Sequence, residues 1–343
     1  MCSFSYICDT LPFDYIFICW LKQSEQNGGI GLKKQWIADF SLLAVTFVWG
    51  ATFVIVQNAI SFLEPLSFNA VRFSLAGAFL LLWLIIFHRS LFRHYTLPLA
   101  RAGIWMGFWL FSGYAFQTVG LLYTTSSKAG FITGLSVVLV PLFSFLFLKQ
   151  KPSVNASIGA VLAAVGLYFL TIGDGKWMLN RGDVFVFFCA ISFAMHIITT
   201  GKYSARYSTM LLTMTQIFTV AVMCTIFAFL FEDETQMWNV AILQKREVWT
   251  ALLITSLLAT TAAFLIQTNF QKYTTATRVA LIFAMEPVFA ALTAYIWAKE
   301  QLTASAIIGC IGILCGMIFA ELPITARKMA ACKTEANSLR QTK

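Results

Sequence analysis

Glu286 sits near the centre of an apolar run over 274–297 and is followed by Pro287. A charged group at that depth costs several kcal/mol unless it is paired or faces water. The proline weakens the local helix and frees backbone carbonyls. Two chemistries fit. Glu286 could be a cavity acid that binds a cationic substrate group or passes a proton. It could also be a protonated acid bonded to a neighbouring helix as an internal brace. Arg72, Lys128 and Arg278 are the basic residues inside apolar runs. They read as charged gates or as a handle for a substrate carboxylate, against the simpler alternative of long side chains reaching the membrane interface. Arg278 and Glu286 are about 80° apart around a helix axis, so they are not expected to pair. His196 is the one histidine inside a run. A proton-coupled carrier could use it, but with no carboxylate on its own helix it makes no metal site, and a neutral hydrogen-bonded ring is the plainer expectation.

Trp49, Tyr114, Gln117, Gln216 and Thr260 fall at similar depth, with Ser256, Thr261 and Gln267 near them. Aromatic walls with a few polar groups suit a site for amphipathic small molecules. Something must hold these residues together, and composition says what. Of 343 residues, 59% are hydrophobic and 11% charged, with mean hydropathy +0.77. Soluble domains carry about 25% charged residues, so a soluble enzyme is excluded. Ten apolar runs, near 38–59, 66–87, 102–122, 126–148, 153–172, 183–201, 208–231, 249–269, 274–297 and 303–322, are each close to the roughly 20 residues a bilayer requires. Helix is the state that satisfies their backbones in hydrocarbon. The expected fold is therefore all-α and integral to the membrane. The loop 232–248 is expected to form one amphipathic surface helix.

Sixteen of the 24 Lys and Arg residues fall with the N-terminus, the even-to-odd loops and the C-terminus, and five fall on the other side. That bias places both termini in the cytoplasm. The net charge of +9 is thus an orientation signal, and nucleic acid is not an expected partner. The eight cysteines form no CxxC pair, so the expectation is buried free thiols without disulfide or zinc. Residues 1–36 are expected as an extension, partly disordered or interfacial, with Gln26–Gly29 as a linker. Residues 323–343 are expected as a basic cytoplasmic tail.

A shift of 150 positions lays 124–170 on 274–320 without a gap. It pairs Thr124 with Thr274, Lys128 with Arg278, Gly159 with Gly309 and Gly166 with Gly316. A shift of 144 pairs Asp39 with Asp183 and Arg72 with Gln216. The chain therefore reads as two five-helix repeats, 37–172 and 183–322. Because each repeat holds an odd number of crossings, the second is inverted. Inverted repeats are the architecture of alternating-access carriers, with the site near the midplane. Gly312/Gly316 and their counterparts Gly159/Ala163 are expected to pack helices closely.

Certain stretches are similar to a known family. Phe47–Phe53 (FVWGATF), Glu64-Pro65 with Asn69, Arg72 and Phe73, Tyr123–Phe131 (YTTSSKAGF) and Ala280–Ala291 (ALIFAMEPVFAA) resemble the motifs of EamA domains, in order, over about 37–322. The first repeat departs by having Val137 opposite Pro287 and Gln150 opposite Glu300. The resemblance to the EamA branch of the drug/metabolite transporter superfamily implies ten helices, a central cavity between inverted halves, and efflux of small metabolites, amino acids or related compounds among them, across the cell (inner) membrane.

No GxxxxGK[ST] loop is present, so direct ATP drive is not expected, nor is any cofactor. The expected partners are a small-molecule substrate and the lipid bilayer. Protons are a candidate coupling ion, facilitated flow is the other option, and oligomeric state is open. Two rival readings remain. An integral-membrane enzyme acting on a lipid-linked or small-molecule substrate needs clustered His or acids near one interface. A structural or signalling bundle needs neither cavity nor inversion.

Overall fold

The computed structural model describes residues 29–124, 126–149, 152–171, 180–293, 295–296 and 303–321, and no strand occurs among them. They form ten helical rods: α1 (Gly29–Ala59), α2 (Pro65–Phe87), α3 (Leu97–Leu121), α4 (Ser126–Gly134 and Ser136–Leu148), α5 (Val154–Thr171), α6 (Arg181–Ser204), α7 (Thr209–Phe231), α8 (Arg246–Ile254, Thr255–Ala262 and Ala263–Phe270), α9 (Ala276–Phe283 and Glu286–Thr293) and α10 (Ala304–Glu321). Seven of them are long and apolar enough to cross a membrane. The other three are α3, with 25 residues, and the shorter apolar α5 and α10. Ile86, Phe147 and Phe231 point outward, each more than 60% exposed. In water such a surface would aggregate; in lipid it is the ordinary outer face of a bundle.

Several boundaries differ from the sequence reading. Helix α1 starts at Gly29, inside the stretch expected as linker and extension. Asp39 therefore lies well within α1 and not at its start. Helix α3 starts at Leu97, with Pro98 in its first turn where a missing N–H is harmless. The loop expected as one amphipathic helix is two single turns, Glu234–Met237 and Val240–Leu243. Asn239 stops the first and caps the second, its side chain accepting from Ala241 N at 3.0 Å. Residues 1–28 of the expected extension and the basic tail lie outside the described residues.

Corresponding rods of the two halves run in opposite directions. Along α5 and α10, Gly159 meets Gly316 while Gly166 meets Gly309 and Ile313, so one index rises as the other falls. A methyl group on Gly159 would stand 2.5 Å from the Gly316 carbonyl oxygen; the expected small-residue packing is present because only hydrogen fits there. Along α2 and α7, Ser67 meets Glu232 and Gly77 meets Phe218, again antiparallel. The halves also exchange partners. Helix α6 packs on α3 and α4, and α1 packs on α8 and α9.

Helices α4 and α9 both break at the same repeat position, Leu135 and Met285. The first repeat has no proline equivalent to Pro287, so the break does not depend on proline alone. At the far end, the N-terminus of α2 has no cap of its own. Glu232, just past α7, supplies one by accepting from the backbone of Leu66 and Ser67 at 2.7 Å each. Burial pushes the Glu232 carboxyl up, against those hydrogen bonds, which favour the ionised form.

Candidate functional site

A cavity of about 850 Å³ lies between the halves. Its walls come from every rod except α7. It reaches one end of the bundle at Gln57 and Thr303, which are exposed, and stops in the other direction near Ile197 and Gln267. Beyond that stop, Leu42, Val140, Ile198 and Val279 are packed solid.

Of the residues singled out from sequence, Trp49, Arg72, Tyr114, Gln117, His196 and Glu286 line this cavity, and Gln267 does too. Two stand one layer behind. Gln216 is fully buried, its Oε1 accepting from His196 Nε2 at 3.0 Å and its Nε2 donating to Thr268 at 3.1 Å. Thr260 accepts from Arg72 Nε at 2.8 Å. Arg278 is elsewhere: its guanidinium pairs with Asp39 at 2.6 Å, away from the cavity. The side chain of Lys128 is not among the described residues.

The wall is built on two local features. Gly50 lets α1 seat against the break in α9, since a methyl group there would lie 2.6 Å from the Glu286 carbonyl oxygen. That contact sets Trp49 beside Phe283 and Phe264, with ring centroids 5.0 and 5.6 Å away. The second feature is a π-helical stretch in α8, Thr255–Ala262. Ala263 N bonds Leu258 O, five residues back, which widens the turn and takes backbone carbonyls out of the usual register. The Ala259 carbonyl accepts from Trp49 Nε1 at 2.8 Å and lies 3.5 Å from Arg72 Nη2. Neither feature was read from the sequence. The hydroxyl cluster Thr255, Ser256, Thr260 and Thr261 was the available signal, because such side chains compete for backbone partners.

The repeat extends to the cavity wall. Shifts of 150 and 144 pair Tyr114 with Phe264, Gln117 with Gln267, Ser136 with Glu286 and Trp49 with Phe193, and every one of these eight lines the cavity. Phe193, Phe264 and Ser136 were missed by the sequence reading, although this pairing would have found them. Glu286 has no hydrogen bond or ion pair with any described residue, and Gln267 Oε1 is buried without a partner. The cavity therefore presents unmatched acceptors beside one buried cation, within aromatic walls.

No group of three His, Cys, Asp or Glu residues that could hold a metal occurs among the described residues. Cys189 and Cys224 are buried free thiols, but Cys315 is exposed, contrary to the expectation for the cysteines as a set; it sits on the lipid side of α10, where a thiol is as acceptable as a methyl.

The family model described as EamA-like transporter family matches residues 36–172 and again 180–322. An "Uncharacterized transporter" of Archaeoglobus fulgidus is 35% identical over 309 residues, covering 90% of this chain and 94% of that one. "Uncharacterized transporter YoaV" of Bacillus subtilis is 25% identical over 298 residues, covering 84% and 98%. A crystal structure shares the fold at TM-score 0.69 and 19% identity, covering 84% of this chain and 97% of that one. With two domain matches spanning most of its length, and a duplicated helical bundle to receive them, the chain belongs to the EamA-like transporter family of multi-pass membrane proteins.

Proposed function

We propose that this protein carries small amphipathic metabolites across the membrane by alternating access, as an exporter of amino acids or related compounds, with ten crossings and both termini in the cytoplasm of the cell in whose inner membrane it sits. The observation that carries this reading is the cavity between antiparallel halves, reaching one end of the bundle and closed at the other. A pore would be open at both ends, and a signalling bundle would have no such space. Trp49, Tyr114, Gln117 and His196 form the substrate walls, and Gln216 and Thr260 hold His196 and Arg72 in place behind them. Glu286 is the group that takes a substrate cation or a coupling proton. In this reading Arg278 and Lys128 gate opposite ends. A catalytic role has less support, because acids and histidines do not cluster at either interface among the described residues.

The test is flux in proteoliposomes across metabolite classes, with and without a pH gradient. Saturable flux that a pH gradient accelerates is expected, and Glu286→Gln should remove the acceleration. A gradient-driven flux unchanged by Glu286→Gln removes the proton role. A C-terminal reporter found outside the cell removes the topology.

A further inference from the structure

We propose that Arg72 is an anion subsite: the docking point in the cavity for a carboxylate or phosphate of the transported molecule. The inference deepens the transport reading by naming the chemistry of one end of the cargo.

Arg72 is 3% exposed, yet it lines the cavity. A guanidinium offers five N–H donors. Here Nε donates to Thr260 Oγ1 at 2.8 Å and Nη2 to the Ala259 carbonyl at 3.5 Å. Both are neutral. The Tyr114 hydroxyl also interacts with the guanidinium, and the charge otherwise faces ring π-systems, with Tyr114 and Phe73 centroids 5.0 and 5.4 Å from Cζ. Among the described residues no carboxylate comes within ion-pairing distance of it. Glu286 shares the cavity but makes no pair with it. A buried cation given no protein anion is costly to keep, and a charge-assisted, bidentate contact from a ligand is what this fork is shaped to receive.

Repeat symmetry separates a need of the fold from a need of the ligand. Arg72 on α2 corresponds to Gln216 on α7. Gln216 occupies its place without charge, satisfied by His196 and Thr268. Glu286 likewise corresponds to the neutral Ser136. Around the same cavity, Trp49/Phe193, Tyr114/Phe264 and Gln117/Gln267 keep their aromatic or amide character. The halves therefore match along the uncharged wall and differ where charge stands. Packing in the second half is achieved with no cation at the corresponding place. The π-helical turn then holds the guanidinium against α8 through Nε and Nη2, at the wall of the cavity.

The test needs binding only, so its failure is distinct from failure of the transport reading. Purified full-length protein in nanodiscs is titrated with benzoate, its uncharged isostere benzamide, and phenyl phosphate. Wild type is expected to bind benzoate or phenyl phosphate at least about tenfold more tightly than benzamide. The relative affinity of the two anions decides between carboxylate and phosphate. Arg72→Gln should erase the preference while retaining benzamide binding, and Arg72→Lys should retain a reduced preference. If neither variant yields folded protein, Thr260→Val should weaken anion binding more than benzamide binding. Equal wild-type affinity for benzoate and benzamide, no saturable binding of either anion, or an undiminished preference in Arg72→Gln overturns the proposal.

Discussion

The junction where α3 and α4 meet α6 and the junction where α8 and α9 meet α1 occupy equivalent places in the two halves, yet they are bonded differently. In the first, Thr124 donates to Asp183 Oδ1 at 2.5 Å. Asp183 also closes a capping box with Asn180, its Oδ2 accepting from Asn180 N at 3.0 Å. In the second, Asp39 Oδ2 takes Arg278 at 2.6 Å, while Asp39 Oδ1 and Thr274 Oγ1 are both buried without a partner. The same Thr and Asp are present in each. What differs is where the helix begins. Asp183 lies in the first turn of α6, where free backbone N–H groups need an acceptor. Asp39 lies inside α1, where those groups are already bonded, so its carboxylate turns to a side chain. The first junction adjoins the open end of the cavity through Thr124. The second adjoins the packed end.

The largest expected effect comes from breaking the ionic junction. Asp39→Ala should destabilise the protein by about 2–3 kcal/mol, because it takes the carboxylate from a largely buried guanidinium. It should also loosen the packed end, so that a cysteine at position 42 reacts at least about tenfold faster with a membrane-impermeant maleimide. Unchanged labelling would mean that the packed layer closes without the ion pair. Asp183→Ala comes next, at about 1–2 kcal/mol for a lost cap, measured by thermal unfolding in detergent, with no rise in labelling at position 42. The smallest effect is the sharpest comparison. Thr124→Val should cost about 1 kcal/mol, while Thr274→Val should be neutral or slightly stabilising, since its hydroxyl has nothing to lose. Equal costs at the two threonines would mean that the junctions are equivalent after all.

Much of this was legible beforehand, for specific reasons. Long apolar runs force helices, and the Gly159/Gly316 spacing forces close packing wherever two such helices meet. The duplication over 124–170 and 274–320 implied inversion, and the rods α5 and α10 do point oppositely. Trp49, Tyr114, Gln117, His196 and Glu286 could be picked out because polar or ring-bearing groups at mid-run have few reasons to be there except a cavity. Arg278, four residues into its run, stood apart from them by depth, but its ion pair could not be read. Its partner, Asp39, is 239 residues away in sequence, and no local pattern links the two.

The sequence by itself determined the medium, the helical state and the two-copy plan, because hydrophobic run length and internal periodicity are local properties of the chain. Only the tertiary structure decided which polar groups share a cavity, which end is packed shut, and which carbonyl holds Trp49 and Arg72. Those outcomes depend on contacts between distant segments and on a π-helical turn whose extra residue shows in the backbone, not in the residue types.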